Sequence, residues 1–266
     1  MPGVKSLFKD TAIYGVSSIV GRFLNWCLVP MYTYCFAEAE YGVVTNIYAY
    51  VALALIILTY GMETGFFRFA NHERWKNPGQ VYTTVLTSIG VSSMAFIILV
   101  SLLSPDIARA LDCGDHPSFI WMMAIAVGVD AYTSIPFAYL RYRKRPVRFA
   151  TLKLINIGLN LFFILLCPAI WRSHPEAIGW FYDPTFGIGY IFLANMISSL
   201  AILMLLLPEI MAEGYSFCGR LLREMLAYSF PLLIIGIAGI MNQTIDKILY
   251  PMLIADKTEA MTGLGI

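Results

Sequence analysis

The sequence predicts an all-α membrane protein of about seven transmembrane helices: a six-helix N-terminal lobe followed by the first helix of a second, parallel-repeat lobe. Composition, a series of apolar windows of bilayer length and an uneven distribution of basic loops predict it. Of the 266 residues, 59% are hydrophobic and 13% charged, and the mean hydropathy is +0.70. A soluble domain carries about 45 to 50% apolar and about 25% charged residues, so no soluble core of this length needs so much apolar surface. The net charge of +1 argues against a nucleic-acid partner, which requires a large basic field.

Apolar windows able to cross a bilayer, about 20 residues each, fall at 12–36, 43–67, 81–103, 118–140, 150–171, 186–208 and 226–252. Ala37-Glu38-Ala39 imitates a signal-peptide cleavage site after the first window. The run before it is too long, and too charged at Arg22, for a signal core of about 7 to 15 residues, so it reads as a retained span. Arg22 lies about ten residues in, about 15 Å deep. With Ser18 at i−4 and Asn25 at i+3 it makes one polar helical face, costly against lipid and sensible against a water-filled cavity. Structural pairing with a carboxylate elsewhere is the alternative.

The second span ends in Glu63 and Arg68, expected as a local ion pair at the interface. The third is bounded by the turn signals Asn77-Pro78-Gly79 and Ser104-Pro105-Asp106. In the fourth, Asp130 sits about twelve residues deep, with Ser134 one turn later and Pro136 interrupting the backbone ladder. It is a candidate proton or cation site, or a partner for Arg22. The following run Arg141-Tyr142-Arg143-Lys144-Arg145-Pro146-Val147-Arg148 fixes topology on one reading. On the other it grips anionic lipid headgroups or a pyrophosphate.

On the fifth span, Lys153 is expected to snorkel to the nearby interface, and Asn156 and Asn160 to act as interhelical hydrogen-bond glue. The turn Asp183-Pro184 precedes the sixth. On the seventh, Asn242 and Asp246 share one face while Gln243 and Lys247 share the neighbouring one. So dense a polar cluster does not face lipid; it lines a pathway, or pairs near the helix end. The expected organisation is a lobe over 1–208, a linker over 209–224 and the start of a second lobe over 225–266.

Lys5 and Lys9, then Arg68, Arg74 and Lys76, then the five basic residues of 141–148, then Arg220 and Arg223 all fall on one side of this arrangement. The other side holds Arg109, Arg172 and Lys257 among acids such as Glu38, Glu40, Asp106, Asp112 and Asp115. The positive-inside rule therefore puts the N-terminus in the cytoplasm. At a constant offset of 221 residues, Leu28, Pro30, Met31, Glu38, Ala39 and Gly42 recur as Leu249, Pro251, Met252, Glu259, Ala260 and Gly263. The seventh span is thus expected to open a second repeat, with Ile266 a truncation. Parallel repeats of this kind suit a transporter with its path between the halves.

Chemistry of other kinds finds little support. Cys27, Cys35, Cys113, Cys167 and Cys218 show no CxxC spacing, and His72, His116 and His174 are isolated in loops. No nucleophile elbow, P-loop or metal-ligand spacing appears, so neither an enzyme nor a cofactor is expected.

Asp10-Thr11-Ala12-Ile13-Tyr14-Gly15 leading to Gly21-Arg22, then Pro30, Thr33 and Tyr41-Gly42, resembles the opening of Wzx-type polysaccharide-export flippases. Ala138-Tyr139-Leu140-Arg141 through Arg148-Phe149-Ala150, and Tyr228-Ser229-Phe230-Pro231 through Asp246-Lys247, resemble later signatures of the same family. The resemblance implies the multidrug/oligosaccharidyl-lipid/polysaccharide (MOP) exporter fold, in which two six-helix lobes rock about a central cavity. It implies a polyprenyl-pyrophosphate-linked oligosaccharide as cargo, carried across the bacterial inner membrane for lipopolysaccharide, O-antigen or capsule synthesis. Glycosyltransferases and the polymerase of that pathway, with membrane lipids, are the implied partners. Arg22 is the position that fits pyrophosphate binding, through paired hydrogen bonds to phosphate oxygens. Ser18, Asn25, Asn242, Asp246 and Lys247 join it as substrate-binding candidates, and Asp130 as the ion-coupling candidate. A cation-coupled drug exporter of the same superfamily is the alternative, favoured only if acids dominate the cavity. A membrane-embedded polymerase or ligase would need a large outer loop, and those at 104–117 and 172–185 are short.

Overall fold

The computed structural model describes residues 15, 19, 38–75, 77–111, 113–114, 116–173 and 186–253. Among them the chain forms helices and no strands: α1 (Glu38–Thr59), α2 (Met62–Ala70), α3 (Pro78–Leu102), α4 (Ser104–Ala110), α5 (Ser118–Tyr142), α6 (Pro146–Ser173), α7 (Gly189–Leu205), α8 (Leu207–Ile210) and α9 (Gly219–Leu253). Glu40–Ala70, Pro78–Leu102, Ser118–Tyr142 and Gly219–Tyr250 are long and apolar enough to cross a membrane, and Gly189–Leu205 is a shorter apolar helix. The predicted first span, with Ser18, Arg22 and Asn25, lies outside the described residues except for helical Gly15 and Ile19. The repeated segment beyond Leu253 lies outside them too.

Local chemistry sets the helix ends. Asn77 caps α3, its side-chain oxygen accepting from the backbone N–H of Gly79 at 3.1 Å and of Gln80 at 3.3 Å, with Pro78 in the first turn. Lys144 closes α5 in the left-handed region at φ 53°, where the Arg145 N–H returns to the Leu140 carbonyl at 3.0 Å and Pro146 opens α6. Pro136 does not end α5, which runs through it.

The centre of the bundle is α5, against which α3, α7 and α1 pack. One core cluster, at the end carrying the basic loops, joins Met62, Phe66, Tyr82, Ile135, Tyr139 and Met225. A second, towards the other end, joins Val44, Ile47, Phe119, Ile120, Ile191 and Phe192. By contrast, Val91, Met94, Ile98, Leu99 and Leu102 of α3 and Phe230, Ile234 and Ile235 of α9 are exposed. Apolar stripes of this extent suit hydrocarbon and not water.

The second predicted span is two helices. Tyr60 and Gly61 both take positive φ, 31° and 68°, which stops α1 and starts α2. A Cβ on Gly61 would lie 3.0 Å from the Leu232 Cβ and 3.3 Å from the Ser229 carbonyl oxygen, and one on Gly65 would meet the Ser229 Oγ at 2.8 Å. Two glycines thus admit α9 closely against the break. The expected Glu63–Arg68 pair does not form. Five residues apart, the two lie about 140° apart around α2, whereas partners sit three or four apart. Glu63 instead pairs with Arg141 of α5, and the Arg68 guanidinium lies 4.2 Å from the centre of the Tyr228 ring on α9.

The segment joining α7 to α9 is fastened across the basic end. Glu209, 4% exposed, receives a two-pronged contact from Arg148, at 2.6 Å from Nε and 3.0 Å from the terminal nitrogen. The buried Tyr82 hydroxyl donates to the Glu209 carbonyl at 2.9 Å, and the Tyr139 hydroxyl to the Glu213 carboxylate at 2.5 Å. Thr83 donates to the Ser216 carbonyl at 2.8 Å, Gln80 to the Ser216 hydroxyl at 3.0 Å, and the Cys218 N–H to Thr84 at 3.2 Å.

Arg148→Ala and Glu209→Ala are each expected to destabilise the detergent-solubilised chain by about 2 kcal/mol, the scale of charge-assisted hydrogen bonds. The double variant should lose no more than the worse single one in thermal unfolding. Fully additive losses would show that the fork does not fasten this segment.

Candidate functional site

A cavity of about 560 Å³ opens between α1, α6, α7 and α9. Its polar lining is Tyr41, Thr45 and Tyr48 from α1, Asn156 and Asn160 from α6, Asn195 from α7, and Gln243, Thr244 and Lys247 from α9. At 1.5 Å per residue, the lining on α1 runs from Tyr41 to Ala52, about 4.5 to about 21 Å from the helix start at Glu38. On α9, Lys247 stands six residues, about 9 Å, before the end at Leu253. The cavity therefore enters from the end opposite the basic loops and reaches the middle of the bundle.

Helical periodicity selects these side chains. Tyr41, Thr45 and Tyr48 stand at i, i+4 and i+7, one stripe of α1, and Ile240, Gln243, Thr244 and Lys247 form the matching stripe of α9. Across the wall, the Asn160 amide donates to the Asn195 side-chain oxygen at 2.8 Å, and Asn195 in turn donates to the Tyr48 hydroxyl. This relay ties α6, α7 and α1 together within the cavity wall. Asn160 is therefore interhelical glue, as its position on α6 leads one to expect, and also cavity wall.

The sequence candidates divide. Lys247 lines the cavity, with its face-mate Gln243. Asn242 and Asp246, about 100° round α9, are exposed beside it and do not line it. Arg22, Ser18 and Asn25 lie outside the described residues. Asp130 lies apart from the cavity, where its carboxylate is bonded to Ser199 of α7 and stands in the field of Lys153. Lys153 stands seven residues inside the start of α6 at Pro146, in the field of Asp130 and, at the basic end, of Glu63 and Arg141. Its ammonium packs 4.3 Å from the centre of the Phe137 ring. Sequence reasoning passed over Asn195 and the α1 stripe. The signals were present: a lone amide in an apolar window, and hydroxyls at helical spacing.

The electrostatic character follows from the lining. Lys247 is the one charged side chain among the described lining residues, and no carboxylate is among them. Amides, hydroxyls and a single ammonium can exchange hydrogen bonds with a polyhydroxylated or phosphorylated ligand, and they offer a cation no counter-charge.

In a cysteine-free background, cysteines at Asn156 and Gln243 are expected to react with a membrane-impermeant maleimide at least about tenfold faster than cysteines at Met94 and Ile98. Thiolate formation requires water. Equal rates at all four positions would mean that the cavity is not hydrated.

No curated protein and no solved structure shows a significant match to the chain. Residues 7–266, nearly all of it, match the family described as polysaccharide biosynthesis protein. With the membrane-crossing helices, this match places the chain in the polysaccharide biosynthesis protein family, which includes the Wzx-type flippases of the MOP superfamily.

Proposed function

We propose that the chain belongs to a flippase that carries a polyprenyl-pyrophosphate-linked oligosaccharide from the cytoplasmic to the outer leaflet of the bacterial inner membrane, by alternating access. The observation that supports this most directly is the cavity reaching mid-bilayer with amides, hydroxyls and Lys247 in its wall. Sugar hydroxyls both donate and accept, so Asn156, Asn160, Asn195, Gln243 and the tyrosines match them without demanding one orientation. Lys247 adds the positive potential that attracts phosphate. A drug or cation exporter needs an acidic cavity, and the described lining carries no acid.

On this reading the basic end is cytoplasmic, and the cavity opens towards the outer leaflet. Residues 1–208 and 225–266 belong to two lobes joined by 209–224. Arg22, with Ser18 and Asn25, binds the pyrophosphate in the first span. Asn242 and Asp246 stand exposed beside Lys247 on α9, outside the described cavity lining. Asp130, bonded to Ser199 and opposed by Lys153, is the group whose protonation would couple transport to an ion gradient.

Two predictions test the assignment in a strain that depends on this protein for surface polysaccharide. Lys247→Gln is expected to lower export about tenfold, equivalent to about 1.4 kcal/mol of lost interaction, with membrane expression unchanged; full export would remove Lys247 from the path. Arg22→Ala is expected to lower export at least as much. If it leaves export intact while Asp130→Asn abolishes it, the pyrophosphate role of Arg22 is wrong.

A further inference from the structure

The basic run after α5 is not uniform. Its outer members are neutralised within the bundle, Arg141 by Glu63 and Arg148 by Glu209. The central three, Arg143, Lys144 and Arg145, are exposed, and none of them makes an ion pair among the described residues. Lys144 sits at the left-handed tip of the turn, so three positive charges project from one tight bend. Arg143 stacks 5.5 Å from the centre of the Tyr139 ring, whose hydroxyl is bonded to Glu213 of the α7–α9 segment. The bend and that segment therefore form one continuous surface.

The α7–α9 segment presents large apolar side chains on the same end. Met211 is 79% exposed, Tyr215 77% and Phe217 45%, and Val147 beside the bend is 65% exposed. Its depth is fixed by its bonds: Ser216 and Cys218 are held by Gln80, Thr83 and Thr84, which stand two to six residues, about 3 to 9 Å, inside the start of α3 at Pro78. A 25-residue helix is about 37 Å long, against a hydrocarbon core of about 30 Å, so its ends reach into the headgroup layers. At that level an exposed Met, Tyr or Phe meets the boundary between headgroups and acyl chains, where amphipathic aromatic side chains are favoured.

We propose that the α5–α6 bend and the α7–α9 segment together form a docking surface for anionic phospholipid: Arg143, Lys144 and Arg145 bind the phosphate headgroup while Met211, Tyr215 and Phe217 rest against its acyl chains. Charge selects the headgroup, and the flanking apolar side chains favour a lipid over a soluble phosphate, which would leave them without a partner. The surface is separate from the cavity and does not depend on which cargo the cavity accepts. Its consequence is that the segment fastening α9 to the bundle is seated partly on lipid, so anionic lipid stabilises the fold of the basic end.

Fluorescent phosphatidylglycerol and phosphatidylcholine titrated into the detergent-solubilised full chain test this. Phosphatidylglycerol is expected to bind at least about tenfold more tightly, and to weaken as salt is raised. Substituting Gln at 143, 144 and 145 together should weaken it by about two orders of magnitude, since each Lys or Arg near an anionic surface contributes about fivefold. Met211→Ser with Tyr215→Ser should weaken both lipids while leaving the salt dependence. Wild-type binding by the triple Gln variant would overturn the proposal. So would displacement of the lipid by an equal concentration of inorganic pyrophosphate, which would mark a soluble-phosphate site, or salt-independent binding by the wild type, a measurement that needs no variant to fold.

Discussion

Hydrocarbon has no water to bond an orphaned polar group, and the positions of Asn, Asp, Lys and Arg in this bundle answer to that constraint. Asn160 and Asn195 bond each other, Asp130 bonds Ser199, and Lys153 turns onto an aromatic ring with a carboxylate in reach. Asn156, Gln243, Thr244 and Lys247 collect around one cavity, where water or a ligand can serve them, while the Asn46 side-chain oxygen and the Ser93 and Ser198 hydroxyls are buried without a partner among the described residues. Helix packing supplies the rest. The apolar faces of α3 and α9 are left to lipid, so the interior volume is free for polar work.

The two ends of the bundle are built differently as a result. At the basic end Phe66, Tyr82 and Tyr139 are packed together, with Tyr82 and Tyr139 ring centroids 4.3 Å apart, and the α7–α9 segment closes over them. At the other end the helices part around the cavity. On the proposed orientation this is a bundle sealed towards the cytoplasm and hollow towards the outer leaflet. The positive-φ break at Tyr60 and Gly61 falls between these regions, where α9 lies against α2. A helix interrupted at that level can change direction without unfolding a span, as the proposed alternating access would require.

Much of this was legible in the sequence, because hydropathy and basic loops report directly on the bilayer. The windows at 81–103, 118–140 and 226–252 each became one long helix, and Asn160 could be placed between helices from spacing alone, whereas spacing did not separate Gln243 and Lys247, which line the cavity, from Asn242 and Asp246, which do not. What could not be read were partners distant in sequence. Glu63 finds Arg141 78 positions away, and Asn195 finds Tyr48 147 positions away. The break within 43–67 was hidden because Gly61 is a single residue in an otherwise apolar run, and its conformation is fixed by α9 rather than by its neighbours. The α7–α9 segment looked like a plain linker, since its bonds run largely through backbone carbonyls and hydroxyls on α3.

The kinds of bond used at each end bear on how such a bundle moves. The basic end is held by charge-assisted pairs, Arg148 with Glu209 and Arg141 with Glu63, and by aromatic stacking. Hydrogen bonds to charged groups are each worth about 1.5 to 3 kcal/mol. The cavity wall is held by neutral amide and hydroxyl bonds, which between membrane helices average only about 0.6 kcal/mol. On the proposed function, a shift of α6, α7 and α9 would let the Asn160–Asn195–Tyr48 relay exchange its bonds for bonds to sugar at little cost, while the Arg148–Glu209 fork and the Arg141–Glu63 pair hold. On that proposal, firmer pairing at the basic end and exchangeable pairing in the cavity wall would make the first the pivot and the second the mouth.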